Sequence, residues 1–105
     1  AAQKADRDFQ NLLKQQPDNP AANFAYGAFL GGSNQSDKAL PYLERSAKSG
    51  YGDAYYALGI AHLMQNNTEL ALENFESYKS HRPDDQSIEQ IITAIKSGNI
   101  QLQAK

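Results

Sequence analysis

The chain has 105 residues, a formal net charge of −2 and no cysteine, so it is one domain or part of a repeat array with a thin core. Without cysteine there is neither a disulfide framework nor a thiolate metal site. The scattered basic residues leave no polycationic footprint for nucleic acid, and no apolar run approaches the roughly 20 residues that span a bilayer.

Six helices are predicted in chain order from apolar spacing near 3.6 and from stop signals. Ala5, Phe9, Leu12 and Leu13 form the stripe of the first, which ends before Pro17. Phe24, Gly27, Ala28 and Leu30 belong to the second, and Gly31-Gly32 are expected to provide the positive φ of its exit. Ser36 or Asp37 is the expected N-cap of a third helix carrying Ala39, Leu40, Leu43 and Ala47. Pro41 should cost it one backbone bond without breaking it, and Gly50 ends it. A fourth helix runs from about Asp53 to Gln65 and stops at Asn66-Asn67, where asparagine tolerates the left-handed conformation. Thr68 is expected to cap the fifth, which carries Leu70, Ala71, Leu72, Phe75 and Tyr78 and stops before Pro83. Asp84 or Asp85 caps the sixth, where Ile88, Ile91, Ile92 and Ile95 keep the spacing of one buried face, and Gly98 closes it.

The chain also repeats itself. Ala54 to His62 echoes Ala22 to Leu30, and an offset of 32 residues carries Gly27 to Gly59, Ala39 to Ala71 and Leu43 to Phe75. Self-similarity at such a period signals stacked two-helix units. Glycine inside a helix costs about 0.5–1 kcal/mol relative to alanine. Gly27 and Gly59 therefore imply a close helix approach as compensation, with Ala39 and Ala71 as the small partners across it.

Tyr55, Leu58, Gly59 and His62, then Ala71, Phe75 and Pro83, resemble the signature of tetratricopeptide repeats. Tyr26-Gly27, Leu30, Ala39 and Leu43 form a weaker copy with Asn23 at the first aromatic position. The shorter link from Ala39 through Gly50 to Gly59 is similar to Sel1-like repeats. The resemblance implies an all-α fold, an α-α superhelix or solenoid of about six antiparallel helices. It divides the chain into a partial unit over 1–18, repeats over 19–51 and 52–84, and a capping or truncated repeat over 85–105. Ile92 stands where the glycine would recur, so no further helix is expected to pack closely there. The chain is thus either cut from a longer array or closed by its last helix.

No catalytic site is visible, and no cofactor or metal is expected. His62 lies on an apolar helix face, aligned with Leu30 and Ile95, and reads as a core histidine rather than a ligand. His81 beside Arg82-Pro83 reads as solvated, and with Asp84 and Asp85 it matches no metal-ligand spacing. Glu69, Glu73 and Glu76 are the charged flank of an amphipathic helix. Gly31-Gly32-Ser33 follows a helix and lacks the lysine of a phosphate loop.

The function implied is a non-catalytic scaffold that binds a protein or peptide. In tetratricopeptide proteins the first helices of successive units line the concave surface. By helical phase this points to Phe24 and Ala28, then Tyr56, Ile60, Leu63 and Met64, and then Glu89, Thr93 and Lys96. Ile60 and Leu63 have a second reading, as packing between repeats. The lysine–asparagine clamp that grips a C-terminal carboxylate in chaperone-binding members has no counterpart among Phe24, Ala28, Tyr56 and Ile60. The alternative is self-assembly into a homo-oligomer through apolar repeat ends, with Ile92, Ile95, Ile100 and Leu102 at one end and Phe9, Leu12 and Leu13 at the other. The cysteine-free, Asn/Gln-rich composition suggests a bacterial origin and suits cytosol and periplasm alike.

Overall fold

The computed structural model describes residues 2–98. Six helices follow one another: α1 (Ala2–Gln15), α2 (Pro20–Gly32), α3 (Ser36–Lys48), α4 (Gly52–Met64), α5 (Thr68–His81) and α6 (Ser87–Lys96). Short connections fold each helix back along its predecessor. The closest pairs are α2 with α3 and α4 with α5, while α2 also touches α4. The stack measures 43 × 32 × 19 Å, the extended shape of a short solenoid.

The helix ends show which local signals win. Asn19 caps α2 by accepting the Ala22 N–H at 3.0 Å, and Pro20 occupies the first turn where no N–H is needed. At the other end Gly31 and Gly32 remain helical, contrary to the expectation for this glycine pair. Asn34 takes the left-handed conformation instead, at φ 66°. The Gln35 N–H then returns to the Leu30 carbonyl at 2.9 Å. Asn66 does the same at φ 63°, with the Asn67 N–H on the His62 carbonyl at 2.9 Å. The two exits are therefore copies, and asparagine supplies both.

Ser36 and Asp37 both lie inside the first turn of α3, so neither caps it; Gln35 precedes the helix without a side-chain capping bond. Asp37 Oδ1 instead accepts a hydrogen bond from Gln65 Nε2 at 2.7 Å, tying the start of α3 to the end of α4. Thr68 is likewise the first helical residue of α5, and Asn67 Oδ1 accepts the Leu70 N–H in its place. Asp85, rather than Asp84, serves α6 by accepting the Ser87 N–H at 3.0 Å. Pro41 sits on the exposed side of an unbroken α3, and Gly50 and Gly98 take positive φ after α3 and α6.

Two apolar clusters fill the stack. Leu13, Tyr26, Leu30, Leu43 and Leu58 anchor the first, and Leu63, Phe75, Tyr78, Ile88 and Ile92 the second, with Tyr55 packed against both. The helical glycines make the pairing possible. A Cβ on Gly27 would stand 2.6 Å from Leu43 Cδ2, and one on Gly59 would stand 2.6 Å from the Phe75 ring. Both distances lie inside van der Waals contact, so a side chain at either site would push its hairpin apart.

The expectation of uncovered apolar ends is corrected at α6. Ile92 and Ile95 are 3% and 8% exposed, turned inward onto the second cluster, whereas Glu89, Gln90, Thr93 and Lys96 face solvent. At the other end Leu13 is buried and Phe9 half-buried, and Leu12 stays exposed. Ile100 and Leu102 lie outside the described residues.

Three stability changes follow from this packing. Gly59→Ala should cost about 1–3 kcal/mol by overpacking the fully buried Phe75 ring, outweighing the helix-propensity gain of about 1 kcal/mol. Gly27→Ala, facing the movable end of Leu43, should cost less, and urea unfolding midpoints rank the two. His62 is 8% exposed and its Nδ1 has no hydrogen-bond partner. His62→Leu removes that unpaired group and should raise the melting temperature by a few degrees in a calorimetric scan.

Candidate functional site

Helices α2 and α4 lie side by side over α3 and enclose a groove of about 290 Å³. Gly27, Ala28 and Gly31 form one wall, Tyr56, Ala57, Ile60, Ala61 and Met64 the other, and Ser36, Ala39 and Leu43 the floor. The sequence makes this surface apolar in a simple way. Helix α2 contains no charged residue, and α4 contains Asp53 alone apart from His62. Small side chains on α2 leave room above Leu43, while Ile60 and the 55% exposed Met64 supply apolar surface at the rim. Methionine is unbranched and polarizable, which lets such a rim fit more than one shape.

Of the expected contact residues, Ala28, Tyr56, Ile60 and Met64 come together in this groove. Leu63 does not: it is 4% exposed and belongs to the second core cluster, so its side chain packs inward. Its phase on α4 differs from that of Ile60 by three residues, enough to turn it from the rim to the interior. Phe24 lies beyond Tyr56, with its ring 5.0 Å from that of Tyr51. It lines a second pocket of about 300 Å³ with Asp53, Tyr56, Ala57, Tyr78, Asp85 and Ser87. Tyr56 and Ala57 line both hollows, so the two are neighbours along α4.

Glu89, Thr93 and Lys96 are exposed on α6 but are not brought into the groove. Glu89 and Thr93 border a separate shallow depression. Glu89 pairs with Lys79 at 2.6 Å and Lys96 with Glu76 at 3.4 Å, which turns both charges toward α5.

The second pocket has a defined hydrogen-bond pattern. The Tyr78 hydroxyl donates to Asp85 Oδ2 at 2.6 Å, and the Ser87 hydroxyl donates to Oδ1 at 2.6 Å. These bonds, that of Ser87 first, hold the Asp85 carboxyl below its ordinary value of 3.8. The same carboxylate, followed by burial, pushes the Tyr78 phenol up to about 12. Tyr56 is braced edge-on against Phe75 and Tyr78, with ring centroids 5.6 and 5.3 Å away. Asp53 Oδ1 pairs with Arg82 Nη2 at 3.0 Å.

Several organising residues carry weak sequence signals. Asn23 is fully buried, and its Nδ2 donates to the Pro17 and Asn19 carbonyls at 2.9 and 3.0 Å. Standing where Tyr55 stands in the next unit, it fixes the α1–α2 turn instead of adding a ring. Ser46, also fully buried, donates to the Pro20 carbonyl at 2.8 Å and ties the two ends of the α2–α3 hairpin. The Tyr26 hydroxyl donates to Asp6 Oδ1 at 2.5 Å, where burial first and this bond second push the phenol up to about 12. Gly31, Ala57 and Ala61 also line the groove, and small side chains four apart on α2 and on α4 are their sequence signal. His81 ends α5, its ring 5.0 Å from Tyr55 and its Nδ1 3.0 Å from the Ser77 carbonyl. Among the described residues no group of three or more His, Asp or Glu could hold a metal ion, and no helix is long and apolar enough to cross a membrane.

Paired helices stacked through glycine notches, with an apolar recess between successive first helices, define a helical-repeat scaffold. A family model described as tetratricopeptide repeat matches residues 29–88, more than half of the chain, and the chain belongs to that family. Tetratricopeptide repeats are generally protein–protein interaction modules and typically non-catalytic. A comparison with curated proteins found no match.

The two raised phenols give stability a defined pH dependence. Tyr26 and Tyr78 titrate at about 12 in the fold against 10.0 ordinarily, so their stabilisation is complete below pH 10 and is lost as pH rises toward 12. The urea midpoint should fall between pH 8 and pH 11. In Tyr26→Phe/Tyr78→Phe it should start lower and fall less. The lowered Asp85 acts at the opposite limit, its contribution fading as pH drops below 3.8.

Proposed function

We propose that this protein binds a segment of a partner protein in the groove between α2 and α4, with Ala28, Ile60 and Met64 as the contact surface. The supporting observation is an uncharged recess whose largest exposed apolar side chain, Met64, stands at its rim. In a stack whose other apolar side chains are mostly turned inward, such a rim has little structural reason to be apolar. Burying it against an amphipathic helix or an extended apolar segment would gain about 25 cal/mol per Å² of apolar surface. Specificity would come from Tyr56, which offers a ring and a hydroxyl from a braced position.

Self-assembly through the repeat ends has less support. The outer side of α6 is polar, and at α1 only Leu12 presents a large exposed apolar side chain among the described residues.

Ala28 and Met64 are both exposed, so Ala28→Glu/Met64→Glu should leave helicity and melting temperature nearly unchanged. The double variant should nevertheless capture at least about tenfold less partner from a native lysate, measured by quantitative pull-down. Equal capture by the folded variant would refute the groove as the binding surface.

A further inference from the structure

We infer that the groove reads two adjacent features of its partner: an apolar side chain beside Ile60 and Met64, and a lysine or arginine side chain in the pocket at Asp53. This rests on the groove being the binding surface and adds a chemical requirement to it. Three observations converge on a cation at that end.

The first is the direction of the hydrogen bonds. Tyr78 and Ser87 both spend their hydroxyl protons on Asp85, so what they have left to offer a ligand is lone pairs. Asp53 adds a carboxylate that is paired through Oδ1 alone. Apart from the Tyr56 hydroxyl, which can donate or accept, the polar side chains lining the pocket present acceptors, which favours a ligand rich in donors.

The second is the combination of ring and charge. Phe24 and Tyr56 line the same pocket as Asp53 and Asp85. Aromatic faces attract a guanidinium or ammonium group and do nothing for a carboxylate. The partial positive charges at the N-termini of α4 and α6, about half a charge each, offset one of the two carboxylates, and Arg82 offsets the other until it is displaced.

The third is a cation already held there by the chain itself. The Arg82 guanidinium sits 3.0 Å from Asp53, with side chains 51% and 40% exposed. A pair so open to water is worth about 0–1 kcal/mol, so a partner cation resting on the aromatic side can replace it. Arg82 then acts as an internal competitor. Asp53 and Ile60 lie seven positions apart on α4, roughly 10 Å along its axis. That distance sets the spacing of the two recognised side chains to about three residues in an extended partner or seven in a helical one.

A phage-displayed library of random peptides about twelve residues long, selected on the intact chain, tests this. Enriched sequences should place Leu, Met or Phe at a fixed spacing from Lys or Arg. A synthetic blocked peptide of the winning sequence should bind about three- to fivefold more weakly to Asp53→Asn and tighter by a similar factor to Arg82→Gln. Replacing its basic residue with Gln should weaken binding to the unsubstituted protein but add nothing against Asp53→Asn, the signature of a direct pair. Enrichment of apolar or acidic sequences without a basic residue, still lost in Ala28→Glu/Met64→Glu, overturns the cation pocket and leaves the groove standing. Selection indifferent to that double variant overturns both. Self-association that blocks peptide binding overturns the inference in favour of a second copy of the chain.

Discussion

Everything in this stack depends on two places where a helix has no side chain. At Gly27 the backbone of α2 accepts Leu43 of α3, and at Gly59 the backbone of α4 accepts Phe75 of α5. Each contact replaces the local cost of helical glycine with the burial of a large apolar group. The consequence reaches beyond the hairpin. Gly27 and Leu43 also line the groove, so the contact that pairs α2 with α3 forms part of its wall and floor.

Polar side chains then fix the register that glycine permits. Ser46 joins the end of α3 to the start of α2, Asn23 holds the turn before it, and Asp37 reaches Gln65 across the unit boundary. Such bonds cost little where both partners are satisfied and specify one arrangement among several with similar apolar packing. His62 stands apart, buried with an unpaired ring nitrogen at a position that holds Leu30 and Ile95 in the neighbouring units. Nothing in the packing accounts for an imidazole there.

The repeat changes character at α6. Where glycine would recur, Ile92 joins Ile88 and Ile95 in the second cluster, while the opposite face of α6 carries Glu89, Gln90, Thr93 and Lys96. Such a helix buries its apolar face and leaves its polar face to solvent. The spacing of the isoleucines was legible in the sequence, but the direction they face was not. An apolar stripe looks the same whether it covers a core or awaits a cover.

Period, helix count, the two notches and membership of a two-helix repeat architecture were determined by the sequence alone, because 3.6-residue spacing and a recurring glycine are local patterns with one economical solution. The fate of individual side chains on α4 was decided only by the tertiary structure. Ile60 and Leu63 are equally apolar and three residues apart, yet one lines a recess and the other is core, since the difference depends on where α2 and α6 pass. Asn34 displacing Gly31-Gly32 as the helix exit, and Asn67 displacing Thr68 as a cap, follow the same logic. Where several neighbouring residues can each satisfy a helix end, the choice falls to the one whose position suits the next helix, and that is a property of the packed chain.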